Sequence, residues 1–399
     1  MSNDTERLSY PVPRTDPSEF PPEYVKLRQE DPVCPITLAT GDPAVLVTRH
    51  EDVKTVLADR RFSRAAMCSE DASRYQVVRP FPDSILNMDP PRHTRIRQLV
   101  NRAFTAARVE QLRPRIHEVV DELLDDMAAA TGPVDLNVAF GRPLPLRIVC
   151  EMLGVPFEDH PTFLRWTGRI MSLKDYTAEE TIETYLEMRS YFVDLLASKR
   201  RDPGEDLISV LISLSDEQGK LTEAELISLG TFLLVSGHDT SVTVLADATL
   251  TLLKNPDQVA LLRADPALWP NAVEELLRLN NPGGSIFPRI ATTDVTIADV
   301  VIPKGTAVVA HIGSGCRDGN IVEDPERFDV RRDVGFQIFF GHGPHFCLGA
   351  ALARAEMEIG LRSLFERFPK LALAIPRHDL QWKDFAALGG FEEFPVTLS

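Results

Sequence analysis

Periodic apolar residues running from Leu221 to about Leu253 constrain this chain more than any other feature. Thr222 and Glu225 stand at capping-box spacing, in which a hydroxyl and a carboxylate each satisfy a free N–H of the first helical turn. Phe232, Leu233, Val244 and Leu245 continue the pattern until Asn255-Pro256 stops it. One helix of this length measures ~45 Å by helix rise, so it crosses a whole domain and the remaining elements must pack around it. A second amphipathic helix is predicted where Ile116, Val119, Val120, Leu123, Leu124 and Met127 recur at three- and four-residue steps, with Pro114 in its first turn. Strand character is confined to residues 44–48 and 286–312, the latter punctuated by the turn signal Pro303-Lys304-Gly305. The expected class is mainly α with a minor β region. No repeat, low-complexity tract or linker divides the chain, so one domain is expected over residues 1–399, with residues 1–20 a poorly ordered segment.

Composition narrows the partners. A formal net charge of −16 argues against nucleic acid or an anionic membrane as the main partner, because both require a broad basic face. The N-terminus is polar, and no apolar run approaches the ~20 residues needed to span a bilayer, so a cytoplasmic location is expected. Cys34, Cys68, Cys150, Cys316 and Cys347 are odd in number and scattered, which fits reduced thiols. Against the acidic background, Arg92, Arg95, Arg97, Arg102 and Arg108 fall between Asp89 and Glu110 with no intervening acid. Such an island is either a solvated helix face or a site for an anionic ligand or partner.

Chemistry concentrates in Phe340-Gly-His-Gly-Pro-His-Phe-Cys-Leu-Gly349, where one cysteine sits in a glycine-rich loop just before the helical pattern Leu352, Ile359, Leu364. Backbone N–H groups exposed by such a loop, with the positive end of the following helix, favour thiolate over thiol and tune a metal bound to it. By itself the feature also fits an inert buried cysteine beside a tight turn. Phe340, Gly343, Cys347 and Gly349 together resemble the haem-binding signature of the cytochrome P-450 superfamily, and further signatures follow in the family's order over roughly residues 20–399. The resemblance implies that family's fold, a helical haem-enclosing domain with small antiparallel sheets, and haem b ligated through Cys347. A thiolate ligand makes haem iron electron-rich and suited to O–O cleavage.

The resemblance extends to other sites. Glu275-Leu-Leu-Arg278 resembles the family's Glu-x-x-Arg pair, completed by Arg327 of Asp324-Pro-Glu-Arg-Phe328, and implies a structural ion network without a catalytic role. Asp89-Pro-Pro-Arg-His93-Thr-Arg-Ile-Arg97 resembles the helix whose His and Arg reach haem propionates; charge-assisted bonds to carboxylates explain His93 and Arg97 there. Arg289 matches a further propionate position, and so does His345, which can instead cap its loop. Ser236-Gly-His-Asp239-Thr240 breaks helical propensity in mid-helix. Either Gly237 ends one helix and Asp239 caps the next, or the segment is the family groove. In that groove Gly237 leaves room for dioxygen, the Thr240 hydroxyl competes for the Ser236 carbonyl, and Asp239 and Thr240 direct protons to the distal oxygen. The family more often has Ala at Ser236 and Glu at Asp239, and Cys316 stands where many relatives carry Asn.

By family position, the substrate pocket takes Phe232, Ser236, Ile286, Phe287 and Phe391, each of which also reads as plain core. Together they suggest an apolar small molecule with a few polar handles, such as a polyketide, macrolide or terpenoid of secondary metabolism, hydroxylated or epoxidised with dioxygen. No segment resembles a flavin or nicotinamide domain, so ferredoxin and ferredoxin reductase are the expected donors, drawn by Arg92, Arg95 and Arg102. Oxidative coupling or peroxide-driven oxidation on the same scaffold, and a non-catalytic haem sensor or carrier, are the alternatives.

Overall fold

The structure, a computed structural model, describes residues 7–216, 220–281, 287–384 and 387–399. The central helix spans Glu223–Lys254, and its cap is the one the sequence predicts: Thr222 Oγ1 accepts from the Glu225 N–H, and the Glu225 carboxylate accepts from the Thr222 N–H. At 32 residues it is about 48 Å long. It packs against Pro143–Leu153 and Ala178–Arg201 on one side and Pro256–Ala264 and Ala350–Arg367 on others. Being surrounded, it is apolar over most of its circumference from Leu226 to Leu252, as a core helix must be.

The second predicted helix is longer than its apolar period suggests. It covers Ala106–Ala128, started by Thr105, whose hydroxyl accepts from the Arg108 N–H. Pro114 therefore lies in the interior, not the first turn, on the exposed face. Residues 106–111 face solvent except for Val109, so they carry no apolar signal. The inner face, Ile116 to Met127, packs on Ala350–Arg367 and on Trp269–Leu279 through one continuous core cluster.

Among the described residues the β content is three small sheets. The largest has the strand order Leu8–Tyr10, Val33–Leu38, Pro43–Val47, Ala307–Ala310, Arg289–Ala291, Phe62–Ser63. Leu8 pairs with Ile36, so the N-terminal segment joins the sheet and Tyr10 is buried; the expectation of a poorly ordered stretch fails from Leu8 onward. A three-residue edge strand followed at once by Pro11 and Pro13 has too short a pattern to read from sequence. Arg289 pairs with Val308 in mid-sheet, which delivers the Arg289 side chain to the interior. After it, Val295–Ile297 and Val300–Ile302 form a hairpin on Ala298 and Asp299, both in left-handed backbone as a two-residue turn demands.

Candidate active site

The cysteine loop folds back on itself. The Cys347 N–H donates to the Phe340 carbonyl at 2.8 Å, the Phe346 N–H to the Gly343 carbonyl at 3.1 Å, and Gly341 and Gly343 take left-handed backbone. Helix Ala350–Arg367 starts three residues later, and the Gly349 N–H points at the sulfur. Burial raises the Cys347 thiol, opposed by that N–H and then by Arg97 and Arg354. Cys347 nevertheless keeps open surface. Protein crowds it closely enough for burial to dominate, so this surface belongs to a concavity and not to the outer face. The sulfur is accessible, pre-bonded and flanked by cations, which is what a thiolate ligand needs.

Beside the loop four predicted residues converge. The rings of His93 and His345 lie 4.3 Å apart, and Arg97 Nη2 donates to the Phe346 carbonyl at 2.6 Å. Arg289 is 5% exposed, and its guanidinium is lowered to about 9 by burial and by Arg64. His345 is pushed down to about 2 by burial and then by His93, Arg289, Arg64 and Arg97. Burial also lowers His93, followed by Arg97. Asp89 is the acid within electrostatic reach of His93 and Arg289, but its oxygens accept from the Ser63 hydroxyl and the backbone N–H groups of Arg64 and Ala65. Among the described residues no ion pair closes on Arg289. Arginines gathered at a buried site whose neighbouring acid is already hydrogen-bonded call for an anionic ligand, and the two propionates of a haem fit that donor set. Arg64 is the member sequence reasoning missed. Nothing in its local pattern marks it, since it is brought in by the sheet edge at Phe62–Ser63 and held by the carbonyls of Leu86 and Pro288 and by Asn87 Oδ1.

The central helix runs unbroken through Ser236-Gly-His-Asp-Thr240, so Gly237 does not end a helix there. Thr240 Oγ1 donates to the Ser236 carbonyl at 3.1 Å, the competition the resemblance implies, and Ser236 Oγ donates to the Phe232 carbonyl at 2.7 Å. Gly237 also has a packing role. A Cβ there would lie 2.7 Å from Val149 Cγ2, so this glycine admits helix Pro143–Leu153. One residue past Thr240, Ser241 Oγ donates to Glu356 Oε2 at 3.3 Å, joining the central helix to the helix that follows Cys347. Glu356 is 2% exposed, its Oε1 has no partner, and burial drives it up to about 8. A lone acid at the i+4 position of the apolar series Leu352, Glu356, Ile359 was its legible sign.

Phe232 and Phe287 are half-buried, and Phe287 meets Tyr75 edge-on at 6.1 Å. Phe391 is core, 2% exposed among Trp382 and Phe394, and leaves the pocket list. Ile286 lies outside the described residues. A separate cavity of about 60 Å³, lined among others by Tyr10, Arg14, Tyr24, Trp382 and Asp384, includes neither Cys347 nor Thr240.

Glu275 and Arg278 form a fully buried pair at 2.6 Å, but the third member is Arg332, with Nε 3.0 Å from Glu275 Oε1. Arg327 gives only its carbonyl, while its side chain is 63% exposed and pairs loosely with Asp329. Arg92 and Arg95 are both drawn onto Glu225 at the start of the central helix, and the Arg102 side chain is outside the description.

The sequence model of the Cytochrome P-450 family matches residues 13–199 and 151–373 of this chain. The chain belongs to the cytochrome P-450 family. It is 42% identical to nocardicin C N-oxygenase of Nocardia uniformis subsp. tsuyamanensis, over 98% of this chain and 99% of that protein. It is also 42% identical to mycinamicin IV hydroxylase/epoxidase of Micromonospora griseorubida, over 94% of each. The crystal structure of SgvP, a putative thioether synthase in the tailoring step of griseoviridin, superposes with a TM-score of 0.93 at 41% identity, covering 98% of this chain and 99% of that one. Fold class, haem b cofactor and mono-oxygenase class follow from membership of this cytochrome P-450 family. No described helix is long and apolar enough to cross a membrane.

Proposed function

We propose that this cytochrome P-450 inserts one oxygen atom of dioxygen into an apolar small molecule of secondary metabolism, a polyketide, macrolide or terpenoid, by hydroxylation or epoxidation. The observation that carries the reading is the convergence of His93, Arg97, Arg289 and His345, with Arg64, beside the accessible Cys347 sulfur, while the neighbouring acid Asp89 is taken up by Ser63, Arg64 and Ala65. In this reading Cys347 ligates the iron, and His93, Arg97, Arg289 and His345 hold the propionates by charge-assisted bonds. Haem so ligated supplies the chemistry of dioxygen activation. The protein's part is positioning and protons. Thr240 keeps its hydroxyl on the Ser236 carbonyl, turning its lone pairs outward, and Asp239 next to it is the proton donor to the oxygen site. Glu356, protonated at neutral pH by its burial, stands behind Ser241 as a proton reserve. Phe232 and Phe287 offer apolar walls, and Ser236 adds one polar contact where the family more often has Ala.

Electrons come, in the same reading, from ferredoxin and its reductase. With Arg92 and Arg95 committed to Glu225, Arg108 is an exposed member of the basic island, its side chain bonded to Gln111 within its own helix. R108E should slow reduction by ferredoxin and leave dithionite reduction unchanged.

The experiment that tests the function is an optical titration of the ferric protein with macrolides, terpenes, aromatic peptides and fatty acids, followed by turnover under isotope-labelled dioxygen. A saturable low-spin to high-spin shift and labelled product are expected with one apolar class. Product without label, or formed only with peroxide, overturns the mono-oxygenase reading.

A further inference from the structure

Asp239, Thr243, Asp247 and Thr251 follow one another at four-residue steps and share one face of the central helix. On a helix whose other faces are Val244, Leu245, Ala248 and Leu252, this polar stripe is out of place. The Thr243 hydroxyl bonds backward along the helix to the Asp239 carbonyl at 3.4 Å, which leaves its lone pairs facing out, while the Thr251 hydroxyl lies 3.0 Å from the Asp247 carbonyl and 2.9 Å from Asn280 Oδ1. Asp247 is 5% exposed and its Oδ2 has no partner. Arg14 and Arg317 are the charged groups facing it, and Arg317 Nε and Asn280 Nδ2 are likewise buried without partners. A bare carboxylate oxygen among bare donors is the composition of a buried water site.

The stripe is connected at both ends. Arg14 and Asn281 line the 60 Å³ cavity together with Trp382, Asp384 and Gly389, and that volume holds about two waters at the ~30 Å³ each takes up in the liquid. The C-terminal loop that walls the cavity also roofs the stripe. The Lys383 N–H donates to the Gly390 carbonyl at 2.9 Å, and Gly390, in left-handed backbone, approaches Thr243 so closely that a Cβ would sit 3.0 Å from its hydroxyl. At the other end Lys383 faces Asp239, with Arg142, Glu392 and Asp135 around it, and His238 is the titratable neighbour on the helix itself.

We propose that this stripe is a proton-supply route, in which water in the cavity recharges Asp247 and the proton passes by way of Thr243 to Asp239. The proposal rests on the reading of Asp239 as donor to the oxygen site. Successive stations are about 6 Å apart along the helix, a gap that one water bridges with two hydrogen bonds. Each transfer moves one proton and no electron. Asp247 gives its proton to a water between it and Thr243, the Thr243 hydroxyl takes a proton from that water and gives its own to a second water on the Asp239 side, that second water gives one to the Asp239 carboxylate, and Asp247 is reprotonated from the cavity. Burial pushes Asp247 up to about 6, against the pull of Arg14 and then Arg317, so it exchanges its proton near neutral pH.

The test uses the haem-loaded enzyme and the variants D247N, T243V and, separately, D239N. In D247N and T243V, product per reduced cofactor should fall about tenfold, the low side of what a positioned proton donor contributes. The solvent isotope effect on turnover should grow, and the substrate-induced spin shift should stay unchanged. Independently of turnover, infrared spectroscopy of the resting protein should show a carboxylic acid band that titrates near pH 6 and is lost in D247N. T243V, nearly isosteric, keeps the route testable if D247N folds poorly. Wild-type coupling and isotope effect in T243V and D247N, with D239N impaired, overturn the route and leave the donor reading intact. An unimpaired D239N overturns both.

Discussion

Replacing Glu275 by Gln should be among the most damaging single changes in this protein, and the structure says by how much. Glu275 Oε2 accepts from Arg278 Nε at 2.6 Å, and Oε1 accepts from Arg278 Nη2 at 2.9 Å, Arg332 Nε at 3.0 Å and the Asp329 N–H at 3.2 Å. Glu275 and Arg278 are both 0% exposed, so a glutamine leaves a buried guanidinium with only carbonyls for company and turns an amide N–H toward other donors. Breaking one partner of a buried pair costs about 3–5 kcal/mol, out of a total stability of about 5–15 kcal/mol. Arg332→Ala removes one charge-assisted bond to Glu275 and bonds to the Glu323 and Asp324 carbonyls, a loss of about 1.5–3 kcal/mol. Arg327→Ala removes a side chain that is 63% exposed and should change stability by no more than about 0.5 kcal/mol. Guanidinium unfolding followed by far-UV circular dichroism, with all three holoproteins compared, measures the ranking. A loss in Arg327→Ala equal to that in Arg332→Ala would refute the assignment of Arg332 as the third member.

Glu356 is raised in the folded state to about 8, so its folded form holds a proton that the unfolded form releases near its ordinary value of 4.5. The wild type should therefore lose stability as pH rises from about 4.5 to 8, by at most about 1.4 kcal/mol per pH unit, and thermal midpoints of E356Q should fall less over that window. Equal slopes would show that Glu356 is not buried in its acid form. In G237A the added methyl meets Val149, and overpacking of about 1–3 kcal/mol should outweigh a helix-propensity gain of about 1 kcal/mol. The loss measured by thermal unfolding should shrink in a V149A background, and a loss unaffected by V149A would separate Gly237 from that contact. R289M should lose haem roughly tenfold faster or more in transfer to apomyoglobin, the worth of one charge-assisted bond. An unchanged rate would remove Arg289 from the propionate set.

What the sequence disclosed was local. The central helix was legible because its capping box and apolar period lie within consecutive residues, and the Cys347 loop because a few glycines and one cysteine sit side by side. The misses are non-local or silent. Arg332 replaces Arg327 because the turn after Phe328, not the motif, carries an arginine back to Glu275, and no spacing rule measures that distance. Phe391 was assigned to the pocket by position in the family, but the bridge between Trp382 and Phe391 folds it into the core beside Phe394. The start of Ala106–Ala128 was invisible since its first turns lie on the surface and have nothing to bury. Glu356 and Asp247 were written in the sequence as acids inside apolar periods, a violation of pattern that signals a site more directly than agreement with pattern does.

The cluster beside Cys347 shows why two buried arginines need not do the same work. Arg64 is fully enclosed and fully occupied: its guanidinium donates to the Leu86 and Pro288 carbonyls and to Asn87 Oδ1, so it fastens the loop before helix Arg92–Val100 to the strand that begins at Arg289. Its charge is nevertheless felt by Arg289 and His345, and both are lowered by it. His345 can answer by staying neutral, but an arginine cannot. Arg289 thus stands in a field made unfavourable by a neighbour that is itself indispensable to the loop, and a dianionic ligand relieves that repulsion. The ligand that does so touches helix Arg92–Val100, strand Arg289–Ala291 and the Cys347 loop together. Affinity for it and stability of these three elements are then one quantity measured twice.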